Sequence, residues 1–176
     1  MKRRGFTLIE FIIYIGLATF FIVASLNFVW MIIGDEIKQE RLSEVNDGGV
    51  FILKKITYHV QRADEVDTQT VFDTHPGKLV LNTTGGQITL DTYQKSIALG
   101  SAVVAITKLR MIEGLNPAVD LTSDKVDAKN FTVNNFSASG VTTIRINLTL
   151  ESVNPTGGAT YEAENSWTTS ATIRKK

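Results

Sequence analysis

Cysteine is absent from this 176-residue chain, which excludes disulfides and thiolate metal sites and leaves the fold to rest on its core alone. Charge of one sign is not in excess, since 18 Lys and Arg balance 18 Asp and Glu. With no basic field to grip a polyanion, nucleic-acid binding by bulk electrostatics is not indicated. Histidine is scarce: His59 and His75 are far apart in sequence, and neither has the carboxylate or histidine spacing of a metal site. No serine stands in a G-x-S-x-G elbow. The glycine pairs at 85–86 and 157–158 lack the Lys-Ser/Thr that follows a phosphate loop, so they read as turns. Asp120 to Asp127 carries oxygens that calcium could use, but not in EF-hand order, and reads as a solvated loop. The expectation is therefore a protein that is not an enzyme, with no cofactor or metal site. Its length suits one ordinary domain plus a hydrophobic appendage.

That appendage is an apolar run from Phe6 to Ile33, preceded by Lys2-Arg3-Arg4-Gly5 and followed by Asp35-Glu36. As a helix it would measure about 42 Å at roughly 1.5 Å per residue, whereas a bilayer core of about 30 Å needs only about 20 residues. Bases before the run and acids after it orient the N-terminus to the cytoplasm and the rest of the chain to the outside. A secretory signal peptide fits less well, because its apolar region is shorter and ends in a small-residue cleavage site. A plain single-span anchor explains the length and the charge asymmetry. It does not explain Glu10, the one charged residue in the run. A carboxylate at membrane depth is costly and is by default a functional feature. Thr7-Leu8-Ile9-Glu10 also fits an S/T-x-x-E capping box, which accounts for an acid in the first turn but not for Gly5 or the basic residues before it.

Gly5-Phe6-Thr7-Leu8-Ile9-Glu10, with the basic leader and the apolar run, resembles the N-terminal signature of the type IV pilin superfamily, which includes major and minor pilins and the pseudopilins of secretion and competence systems. The resemblance implies that a prepilin peptidase cuts between Gly5 and Phe6, and that the Phe6 amine is then N-methylated. It implies further that Glu10 pairs with that amine, usually of a neighbouring subunit, as pilin or pseudopilin subunits assemble in and from the cytoplasmic membrane. The chemistry is coherent. Gly5 lets a protease approach the scissile backbone closely. Cleavage turns the neutral Phe6 amide into an amine, largely charged at neutral pH, where Glu10 lacked a partner. Losing Lys2, Arg3 and Arg4 would leave 15 basic against 18 acidic residues, a net of −3. One departure from the family is the absence of proline around Ser25-Leu26-Asn27, where many major pilins carry one; it favours a minor pilin or pseudopilin. The expected organisation is a leader over 1–5, a transmembrane and filament-core helix over 6–33, and an extracytoplasmic domain over 34–176. The rival readings are a membrane-anchored extracellular binding domain that never assembles and, with no residues to carry it, an anchored hydrolase.

Beyond Gly34 the helical pattern continues. Leu42, Val45, Gly49, Ile52, Ile56 and His59 recur at a spacing of about 3.5 residues, one apolar face. Gly48-Gly49 would bend the helix or let a strand approach, and the helix should end near Arg62-Ala63. His59 reads as a core-edge histidine. Strand pattern follows: Lys78–Leu81 and Gln87–Leu90 around Thr83-Thr84-Gly85-Gly86, then Ser96–Leu99 and Ala102–Leu109 around Gly100-Ser101. Ile144, Ile146, Leu148 and Leu150 alternate with polar residues, after Phe131 and Val133. Between Tyr161 and Ile173, the inner face should hold Trp167, Ala171 and Ile173. The chain reads as an α+β protein, one long N-terminal helix whose amphipathic second half packs on an antiparallel sheet.

Overall fold

The computed structural model describes residues 7–99, 102–138, 140–154 and 162–174. Helix α1 runs over Leu8–Arg62. No proline interrupts it, and it ends where the Ala63 amide donates to the His59 carbonyl at 2.9 Å. The strands are β1 (Glu65–Val66), β2 (Leu79–Thr83), β3 (Gly86–Leu99), β4 (Ala102–Glu113), β5 (Val119–Asp120), β6 (Val126–Asn135), β7 (Thr143–Ser152) and β8 (Glu164–Thr172). The chain divides into two compact units, Met1–Ile37 and Lys38–Lys176. In the first, every described residue from Thr7 to Ile33 is exposed.

In the second unit the fold is α+β, with the later half of α1 packed against antiparallel strands. These fall into two sheets, one of order β1-β2-β3-β4-β5 and one of order β6-β7-β8. Both expected hairpins form: Thr83 pairs with Gly86, and Leu99 with Ala102. The residues between the latter pair, Gly100 and Ser101, lie outside the described residues, as do Gly157 and Gly158. One expectation is corrected. Gln87–Leu90 and Ser96–Leu99 belong to one 14-residue strand, β3. The polar stretch between them is held in the ladder because it lies opposite β4, from Asp91↔Arg110 to Lys95↔Ile106, and Arg110 Nε donates to Asp91 Oδ1 at 2.6 Å.

The buried stripe of α1 is Val45, Gly49, Ile52, Ile56 and Val60. It meets Leu79 and Leu81 of β2, Leu109 and Met111 of β4, Phe131 of β6 and the inner row Ile144, Ile146, Leu148 and Leu150 of β7. Each fully buried aliphatic side chain contributes about 1.5–3 kcal/mol. The stripe closes on Val60 rather than His59, because four residues from Ile56 carry the helix back to the same face more closely than three do. Gly49 answers the question of bend or close approach: an added Cβ would stand 2.6 Å from Trp167 Cζ2, so the glycine admits the β8 indole against the helix. The expected inner face of β8 is present, with Ala171 and Ile173 buried and Trp167 packed on the core. The sheets meet where the Thr107 amide of β4 donates to Asp127 Oδ1 of β6 at 2.8 Å.

Candidate functional site

The N-terminal segment is built from the helix start upward. The Thr7 amide and hydroxyl donate to Glu10 Oε2 at 3.0 and 2.9 Å, and the Glu10 amide donates to Thr7 Oγ1 at 3.4 Å. This reciprocal exchange is the capping box, which satisfies amides that the first turn leaves without helical partners. Glu10 is therefore held at the helix start, on the surface of the chain. Gly5 and Phe6, the expected cleavage and methylation positions, lie outside the described residues.

From Glu10 the helix is apolar all round. An 18-residue window reaches a mean hydropathy of 2.2, and none of it is buried. This is the one helix among the described residues long and apolar enough to cross a membrane. A helix hydrophobic on every face needs an apolar surrounding on every face, and every described residue from Thr7 to Ile33 is exposed. Its polar content is small and partly internalised: the Thr19 hydroxyl donates to the Ile15 carbonyl at 2.8 Å. The helix passes Ser25-Leu26-Asn27 without a break.

The other sequence candidates lie elsewhere. His59 sits at the edge of the core with Nε2 3.7 Å from Glu113 Oε1; burial holds its pKa below the ordinary histidine value, opposed by the Glu113 carboxylate. The acids of the 120–127 loop are occupied by protein cations. Lys108 Nζ donates to the Thr122 carbonyl and, at 2.9 Å, to Asp124 Oδ1. Lys95 Nζ donates to the same carboxylate at 2.9 and 3.0 Å, and the Tyr93 hydroxyl donates to Asp120 at 2.9 Å. Hydrogen bonds from Lys108 and Lys95 pull the Asp124 pKa down to about 2. The lysine side chain stands where a cation would have to sit, and among the described residues no group of three or more His, Asp or Glu is placed to hold a metal.

Lys108 was not foreseen from the sequence. Its side chain is 2% exposed, on the β4 face opposite Leu109, where loop 121–124 covers it. The available signal was the pattern Val104, Ile106, Lys108, a lysine continuing an apolar row, with several acids downstream. His75 was also unassigned; its Nδ1 accepts from the Phe131 amide at 3.1 Å.

No family model, no curated protein and no solved structure matches this chain.

Proposed function

We propose that the chain is a structural subunit of a type IV pilus or a type II secretion-like pseudopilus, inserted with its N-terminus in the cytoplasm, processed after Gly5 and assembled through its N-terminal helix. The observation that carries this reading is Glu10 in the first turn of a helix whose apolar half is exposed at every described residue. Lipid can cover that half before assembly, and the helices of other subunits after it. In either surrounding a carboxylate needs a cation more than it does in water. Cutting before Phe6 creates an amine four residues from Glu10, and a methyl group on that amine preserves its charge. The partners are then a prepilin peptidase with methyltransferase activity, other pilin or pseudopilin subunits, and the cytoplasmic membrane. The resemblance behind this reading rests on Gly5 to Glu10, the basic leader and the apolar run.

The test is the intact mass of the protein extracted from membranes of cells that have an active prepilin peptidase. The expected product lacks residues 1–5 and carries one added methyl group; a chain that retains Lys2 to Gly5 contradicts the reading. A second reading, a membrane-anchored extracellular binding domain that does not assemble, is favoured by the capping box, since Thr7 engages Glu10 without a second subunit. Under it, the chain stays uncut and never enters filaments.

A further inference from the structure

Most sheet edges in the second unit are closed. Along β6, the Asp73 amide donates to the Val133 carbonyl at 2.8 Å and the Gly77 amide to the Phe131 carbonyl at 2.9 Å, while the Phe131 amide donates to His75 Nδ1 at 3.1 Å. β4 is covered by β5 at Arg110 and Met111 and by Asp127 at Thr107. β1 is two residues long. β3 beyond Leu90 carries Asp91 and Lys95, charges of the kind that discourage strand addition. β8 differs. No residue from Asn165 to Ile173 is charged, and among the described residues no strand pairs with its outer edge.

The register fixes what that edge presents. The Ser152 amide donates to the Ala163 carbonyl at 2.7 Å and the Ile173 amide to the Thr142 carbonyl at 3.0 Å. Odd-numbered residues of β8 therefore exchange bonds with β7 at both ends, and the pairing between them is unshifted. The backbone groups of Thr168, Ser170 and Thr172 consequently point away from β7. Ser166 belongs to the same set, but its amide is capped by Asn165 Oδ1 at 2.8 Å. Beside the open stretch, a groove of about 370 Å³ runs between α1 and β8, lined chiefly by Val50, Leu53, Lys54, Thr57, Tyr58 and Thr169. Val50 and Tyr58 are exposed, at 42% and 52%, and Lys54 is the charged side chain of the lining.

We propose that this edge and groove bind an extended segment of another polypeptide, which adds to β8 as a further strand. Its backbone pairs with Thr168, Ser170 and Thr172, one apolar side chain enters between Val50, Leu53 and Tyr58, and an acidic side chain on the same face meets Lys54. The site is independent of how the N-terminal helix is used. Full-length protein in detergent micelles, panned against a random linear peptide display library, tests it. The enriched peptides should carry Asp or Glu two positions from a large apolar residue. A bound peptide should slow amide exchange at Thr168, Ser170 and Thr172 and leave Thr169 and Ala171 unchanged. Ser170→Pro removes one outward N–H and should weaken binding about tenfold or more, while Lys54→Glu should shift the selected peptides from acidic to basic. Should Ser170→Pro fail to fold, the exchange pattern and the Lys54→Glu selection decide. No enrichment, peptides indifferent to both substitutions, or a dimer of the chain that is lost on Ser170→Pro would each overturn the proposal.

Discussion

The two halves of α1 share a backbone geometry and differ in what surrounds them. From Leu8 to Ile33 apolar side chains point in every direction and none is buried. From Lys38 to Arg62 one face is buried, at Val45, Gly49, Ile52, Ile56 and Val60, while Val50, Phe51 and Tyr58 stay exposed. The glycines show the difference at single-atom scale. A Cβ on Gly16 would meet nothing within 4 Å, whereas one on Gly49 would run into the Trp167 ring. The second half is held by its own domain. The first carries the same kind of residues with none of those from Thr7 to Ile33 buried, and apolar faces in that state call for an apolar surrounding.

Matched substitutions in the two halves sharpen that contrast. Ile52→Ala should cost about 2–5 kcal/mol through lost burial and a cavity, read from denaturant unfolding of the full-length protein in detergent. Ile13→Ala should leave the same transition unmoved. Gly49→Leu should cost about 1–3 kcal/mol or more through overpacking against Trp167, whereas Gly16→Leu should change domain stability by less than about 0.5 kcal/mol. Equal losses in either pair would erase the distinction between the halves.

Smaller effects separate polar contacts within the domain. His75→Ala strips the acceptor from the Phe131 amide and should cost about 1–2 kcal/mol. The Asp124 contribution should appear as a pH dependence. Its folded pKa of about 2 lies below the ordinary aspartate value of about 3.9, so the folded state binds the proton less readily than the unfolded chain. The stabilisation is complete above pH about 4 and fades as pH falls towards about 2. Its size is reduced by solvent, because the Asp124 side chain is 56% exposed. Asp124→Asn should flatten this part of the acid limb in a titration of the melting temperature; an unchanged limb would show that the lysine contacts contribute nothing.

Much of this architecture was legible in the sequence wherever one physical cause dominated. The alternation of β7 follows from one buried and one wet face, and the turn at Thr84-Gly85 is marked by glycine. The end of α1 near Arg62 follows from the loss of helical periodicity. What was hidden depended on distant partners. The polar residues of β3 from Asp91 to Lys95 look like a loop until Arg110 and the acids at 120 and 124 stand opposite them. Lys108 looks solvated until the 121–124 segment folds over it. At the N-terminus the capping residues Thr7 and Glu10 were readable because the capping box is local, spanning four residues. Any partner beyond the chain leaves no such local mark.

Under the proposed function, Glu10 does more than cap its own helix. The direct measurement is the amount of Glu10→Leu protein recovered in filaments sheared from cells, alongside Thr7→Ala, which weakens the cap but keeps the carboxylate. Glu10→Leu should be cut normally after Gly5 yet be depleted from filaments, while Thr7→Ala should be incorporated. Incorporation of Glu10→Leu at the level of the unsubstituted chain would contradict the proposed function and reduce Glu10 to the capping role that Thr7 already shares.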